Sequence, residues 1–304
     1  MAILLSPQAE RTLIENRTQT NGSAGTAWVH DLPQLVTSLA ESWSLNVESH
    51  FANLSYNYVA RVVRADGSPA VLKVCYPDND FAHEEQALRV FDGEGCARLL
   101  QSDTRRCALL IEALEPGLTV SSLHDDATEV SATAAVMRRL HRPLPGGTEL
   151  PTFTGRIEEL ARSVAEHGWA YEWLDRGIAL GRDLVASPGG PAVVLHGDLH
   201  HDNVLSSGAE WRCIDPHGVI GESAWEVGAY LYNNLPTADG EQSWRRTIRR
   251  RADQFAGELR LDAQRLYACA AVYAVISSVW SLEDGHDLQR IVKRRAVMTE
   301  LAGF

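Results

Sequence analysis

The stretch VLHGDLHHDNVL sets three histidines, two aspartates and an asparagine between apolar runs, with WRCIDPHG close behind. Groups of these types could ligate a metal, activate a nucleophile or serve phosphoryl transfer. His196 and His200 are four residues apart, the spacing at which zinc-binding histidines share a helix face. Gly197 disfavours that helix, and no glutamate between the histidines supplies a general base, so a metal hydrolase is a weak rival. A nucleophilic hydrolase is weaker still: there is no G-x-S-x-G, and no cysteine lies close to these histidines.

Phosphoryl transfer fits better. It needs a carboxylate to orient the attacking hydroxyl and take its proton, oxygen ligands for magnesium, and a lysine on the nucleotide phosphates. Kinase catalytic loops run H-x-D, then four residues, then asparagine; His196-Gly197-Asp198 and Asn203 keep that spacing. Asp215, 12 residues after Asn203, suits the second magnesium ligand. Lys73 in AVLKV lies on an apolar, strand-like run, and Glu84 follows 11 residues later on the next helical pattern. Glu85 is a direct rival for the lysine, and helix phase alone does not choose between the two. His196 is expected to brace the loop, while His200 and His201 face either substrate or solvent.

The elements that must position these groups fall into two parts. YNYVARVVRADGSPAVLKVCY reads as an antiparallel hairpin over 56–65 and 69–76, turning at Asp66-Gly67-Ser68-Pro69. A helix follows, with Ala82, Ala87, Leu88 and Phe91 on one face and Gly93 and Gly95 as its stop. A second strand pair is predicted over 97–101 and 107–112, so the first third reads as strand-rich. Glu115-Pro116-Gly117 breaks the chain direction, and helical patterns dominate beyond it, near 126–142, 155–167, 171–186, 224–234, 241–257, 262–282 and 286–301. The predicted class is α+β, with a β-rich first lobe over 1–113 and a mainly helical second lobe over 114–304.

Bulk properties narrow the partners. A formal charge of -12 in 304 residues argues against nucleic-acid binding, which needs cations to displace counterions. The same charge suits steering of a cationic ligand. Five scattered cysteines without CxxC spacing suggest neither a disulfide framework nor a thiolate metal site. The N-terminus has no secretory leader pattern, and the 17 uncharged residues Leu266–Leu282 read as a buried core helix rather than a membrane span. A cytoplasmic location without membrane partners is the expectation.

With HGDLHHDN and CIDP in place, the sequence resembles the aminoglycoside phosphotransferase family, whose fold is similar to that of protein kinases. Further blocks narrow the resemblance to the branch of streptomycin 6-phosphotransferases and hydroxyurea resistance kinases. These are WVHDLPQLVTSLAESWSL, ADGSPAVLKV, EEQALRVFDGEGCARLL, LLIEALEPG, IDPHGVIGESAWEVGAYLYN and VWSLEDG. The resemblance implies N-terminal helices ahead of a nucleotide-binding sheet, and favours Glu84 over Glu85 as the partner of Lys73. It implies Asp198 as catalytic base, Asn203 and Asp215 as magnesium ligands, and Lys73 on the α- and β-phosphates of ATP. The Glu112 carbonyl and Leu114 amide would meet adenine, and the turn at Asn53, Leu54 and Ser55 would cover the phosphates.

Three departures stand out. The covering turn HFANLSYN has no glycine, His217 stands where relatives often carry lysine or glutamate, and Glu226 replaces a more usual aspartate. For a cationic acceptor, Glu226 and Asp284 are the preferred carboxylates; Glu222, Glu283, Asp125 and Asp126 read as solvated or capping groups. The resulting expectation is an ATP- and magnesium-dependent O-phosphotransferase acting on streptomycin or a related aminoglycoside. Its alternatives are a kinase of another aminosugar or secondary metabolite, and a catalytically silent kinase-like binding module.

Overall fold

A computed structural model describes residues 5–235, 240–283 and 288–303. The chain divides into two compact units, one reaching to Gly93 and resuming over Ala97–Leu114, the other made of Glu94–Cys96 and the chain from Glu115 onward.

The first unit opens with a long helix, α1 (Pro7–Trp43), followed by β1 (Asn46–His50), β2 (Tyr58–Val63), β3 (Pro69–Val74), α2 (Asn79–Phe91), β4 (Leu99–Asp103) and β5 (Ala108–Glu112). The five strands form one antiparallel sheet in the order β1-β2-β3-β5-β4. The first lobe carries the antiparallel sheet expected of it, and the 37 residues of α1 precede that sheet. Leu32, Val36 and Leu39 recur at helical spacing and are buried, the pattern of a helix laid on a core. Gly22, at φ 61°, bends α1 where an ordinary residue would be strained.

Side chains alternate across a strand. Ala70, Leu72 and Val74 of β3 join Ala60 and Val62 of β2 in a core shared with α1, which turns Lys73 to the other face. In α2, Asp78 caps the N-terminus by accepting the Asp80 N–H, and Phe81, Glu84, Ala87, Leu88 and Phe91 form the buried stripe. Phe81, rather than the exposed Ala82, holds the first core position.

The second unit contains β6 (Pro116–Thr119), α3 (Asp126–Leu140), α4 (Phe153–His167), α5 (Glu172–Ala186), β7 (Ala192–Leu195), β8 (Val204–Ser207), β9 (Glu210–Cys213), β10 (Val219–Glu222), α6 (Val227–Tyr232), α7 (Gly240–Leu259), α8 (Ala263–Glu283) and α9 (Leu288–Leu301). β7 pairs with β10, while β8 pairs with β6 and β9. These short ribbons bracket the polar motif: β7 ends at its first histidine and β8 begins after its asparagine. α8 is long and apolar enough to cross a membrane. It is mostly buried and packs against α5, α6 and α9, as a core helix does. All five cysteines are free thiols, and all are buried.

Candidate active site

In the first unit, Lys73 occupies the middle of the sheet, opposite Val59 of β2 and Leu109 of β5. Its Nζ lies 2.6 Å from Glu84 Oε2, and both residues are buried, at 6% and 5% exposure. Glu85 instead meets Arg89 one turn along α2, at 2.8 Å. A buried ammonium is tolerable only with a compensating charge, which Glu84 supplies. Ser55 is exposed in the β1–β2 turn, next to the exposed Asn53 and the buried Leu54. Glu112 ends β5, where it exchanges hydrogen bonds with the Arg98 backbone. Leu114 is buried, two residues further on.

In the second unit, the catalytic-loop candidates form a connected network. His196 is fully buried; its Nε2 donates to the Ile214 carbonyl at 2.8 Å and its Nδ1 accepts the Asp198 N–H at 3.3 Å. Burial holds its pKa below the ordinary histidine value, so it sits there as a neutral brace. Asp198 receives the Tyr273 hydroxyl on Oδ1 at 2.7 Å and faces His200 Nε2 with Oδ2 at 3.5 Å. Burial acts to raise the Asp198 pKa, but His200, His217 and Tyr273 outweigh it and hold the carboxyl well below its usual range. A carboxyl group held that low is ionised at neutral pH and able to accept a proton. Asn203 donates from Nδ2 to the Asp198 carbonyl at 3.1 Å, and its own carbonyl accepts the Ile214 N–H at 3.0 Å. That second bond ties the loop to the strand leading into Asp215.

Asp215 is exposed and left-handed, at φ 62°, a conformation uncommon outside glycine, asparagine and aspartate. Because the Asn203 amide nitrogen is committed to the loop, its amide oxygen is the atom left to face a ligand. A carboxylate and an amide oxygen are hard donors of the kind magnesium takes. The donor set therefore fits that ion.

Glu226 corrects an expectation. Expected from the sequence to face the acceptor, it is 1% exposed, and its carboxylate accepts the backbone N–H groups of His196 at 2.7 Å and Gly197 at 2.9 Å. Burial works to raise its pKa, while His141, His196 and these amides overcome that and keep it ionised. A carboxylate spent on the loop from inside cannot also reach a substrate. Asp284, the other acceptor carboxylate, lies outside the described residues. Glu222 is held by Arg265 and the Gly189 N–H, and Asp125 caps α3 through the Thr128 N–H.

Tyr273 was not singled out by the sequence, because it lies within the apolar run of α8. A tyrosine inside such a helix carries a signal of its own, since a buried hydroxyl demands a partner. Gly228 of α6 makes room for it: a Cβ there would fall 2.6 Å from Tyr273 Cβ.

Over residues 42–285 the chain matches the aminoglycoside/hydroxyurea antibiotic resistance kinase family. It is 30% identical over 287 residues to a streptomycin 6-kinase from Streptomyces griseus, a match covering 90% of each chain. It is 34% identical to a hydroxyurea phosphotransferase from Kitasatospora aureofaciens, covering 90% of this chain and 80% of that one. Among solved structures, a choline/ethanolamine kinase family protein from Mesorhizobium loti superposes with a TM-score of 0.62 at 15% identity, covering 88% of this chain and 91% of that one. That likeness shows a protein-kinase-like fold. On the extent of these matches, the chain belongs to the aminoglycoside/hydroxyurea antibiotic resistance kinase family and is a phosphotransferase.

Proposed function

We propose that this enzyme uses ATP and magnesium to phosphorylate a hydroxyl of a small cationic acceptor, with streptomycin or a related aminoglycoside as the first candidate. The observation that carries the reading is the placement of the Asp198 carboxyl group, fixed by Tyr273 on one oxygen and beside His200 on the other. In this reaction Asp198 aligns the acceptor hydroxyl and takes its proton as the oxygen attacks the γ-phosphorus. The bond from that phosphorus to the bridging oxygen breaks, and ADP leaves. Lys73, steadied by Glu84, is assigned to the α- and β-phosphates, and Asn203 and Asp215 to magnesium, which offsets phosphate charge when bound. Glu112 and Leu114 are assigned to adenine through their backbone, and Ser55 to the turn over the phosphates. The net charge of -12 favours a cationic acceptor over an anionic one, and use of ATP places the reaction in the cytoplasm.

The test is ADP release with streptomycin, other aminoglycosides, aminosugars and hydroxyurea, in wild type and Asp198→Asn. Removing a general base costs about 10²–10⁴-fold in turnover, while magnesium-ATP binding should persist. Equal turnover in the two proteins would refute the role of Asp198. Binding of magnesium-ATP without transfer to any acceptor would instead favour a silent binding module.

A further inference from the structure

We propose that Asn16 and Arg17, on the first half of α1, are positioning residues that hold the β1–β2 turn in its phosphate-covering shape; this rests on the kinase reading above. Loops that cradle phosphates ordinarily use glycine, which lets the backbone come close and turn its N–H groups to the anion. This turn, Ala52–Asn57, has none. Instead it is gripped from α1 at three successive residues. Asn16 Nδ2 donates to the Ser55 carbonyl at 2.8 Å, Arg17 Nε to the Tyr56 carbonyl at 2.6 Å, and Arg17 Nη2 to Asn57 Oδ1 at 2.7 Å. A trans peptide points its N–H opposite to its carbonyl. Drawing the Ser55 and Tyr56 carbonyls towards α1 therefore aims the Tyr56 and Asn57 N–H groups away from it. These are the donors the proposal assigns to phosphate.

The brace is built to stay in place. Arg17 is 5% exposed, and its guanidinium lies 5.4 Å from the Trp28 ring centre, 4.9 Å from Tyr76 and 5.8 Å from Tyr56. Its Nη1 donates to Asn21 Oδ1 at 3.3 Å and lies 3.6 Å from Asp78 Oδ2. Asp78 caps α2, the helix that carries Glu84. One guanidinium thus links the turn to the helix that secures Lys73. The glycines missing from the turn occur in its brace. Gly22 bends α1, and a Cβ on Gly25 would fall 2.2 Å from the Arg17 carbonyl oxygen, so the two halves meet only because that position is bare. Both residues lie ahead of the segment matched to the family, which begins at residue 42.

The test compares Arg17→Met, Arg17→Lys and Asn16→Ala with wild type, by steady-state kinetics and by hydrogen exchange of the turn amides without nucleotide. Arg17→Met should raise the KM for ATP about tenfold, the value of one charge-assisted hydrogen bond, leave the acceptor KM unchanged and speed exchange over residues 52–57. Arg17→Lys should not restore the ATP KM, because the planar fork is lost, and Asn16→Ala should shift both readouts less, in the same direction. A folded Arg17→Met protein with wild-type ATP KM and wild-type turn exchange would overturn the proposal. Should Arg17→Met not fold, Asn16→Ala combined with Asn57→Ala decides on the same readouts. Wild type that fails to bind magnesium-ATP would overturn the kinase reading and this proposal together; wild type that binds it beside an indifferent variant overturns the proposal alone.

Discussion

The two units fix their charged groups in different ways. Lys73 sits on the central strand of a sheet and is paired with an opposite charge, Glu84, 11 residues away on the next helix. Asp198 sits on a loop, and a loop must have its backbone held as well as its side chain. Glu226 grips the backbone amides just before Asp198 and Tyr273 grips the carboxylate, from 28 and 75 residues away. A regular element lends its rigidity to whatever it carries, whereas a loop must borrow rigidity from distant parts of the chain.

Removing Lys73 should have the largest effect. Lys73→Met leaves Glu84 charged and buried, a change that costs about 3–5 kcal/mol, read by denaturant unfolding. Replacing both, as Lys73→Met/Glu84→Leu, should recover most of that stability while turnover stays lost. A single variant as stable as wild type would show that the strand does not depend on its opposite charge. Next comes Glu226→Gln, whose amide nitrogen must face one of the two N–H groups the carboxylate now accepts. It should lose about 1–3 kcal/mol, with turnover falling in parallel, because the loop itself slackens. Tyr273→Phe removes a single hydroxyl from an otherwise kept ring. It should lower kcat about tenfold and leave the unfolding midpoint close to wild type; a fall in stability matching that of Glu226→Gln would erase the distinction between holding the backbone and holding the carboxylate.

The smallest effect concerns Asp126, which accepts from Arg251 Nε at 2.8 Å and also pairs with Arg250. Burial acts to raise its pKa, and the two arginines hold it below the ordinary value. The folded pKa is therefore lower than the unfolded one. The contribution is complete above about pH 4 and fades as pH falls through the depressed value. Asp126→Asn should cost about 1 kcal/mol at neutral pH and flatten the acid limb of a melting-temperature profile. An unchanged acid limb would show that these pairs do not stabilise the helical unit.

How far the sequence could be read follows the same division. Lys73 was legible because it interrupts an apolar, strand-like run and its helix partner comes next in the chain; the hairpin around Asp66-Gly67 and the buried helix over 263–283 were legible from local pattern as well. Local spacing also picked out Asp198, Asn203 and Asp215. Local pattern did not reveal the use of Glu226, since a carboxylate after a magnesium motif looks the same whether it faces a substrate or the loop from within. Nor did it reveal Tyr273, whose role exists only once α8 packs beside the loop. Arg17 was hidden twice over: a lone arginine among polar residues reads as solvated, and the bend at Gly22 that buries it leaves no periodic trace.

The enclosed thiols have a practical consequence. Burial pushes Cys107, Cys213 and Cys269 towards the protonated, unreactive form, and none of the five sulfurs is oxidised to a disulfide. Alkylating reagents should therefore ignore the native protein and count its openings instead, with Cys75 and Cys107 marking the sheet and Cys96, Cys213 and Cys269 the helical half. The chain carries its own chemical clock for which half yields first under stress.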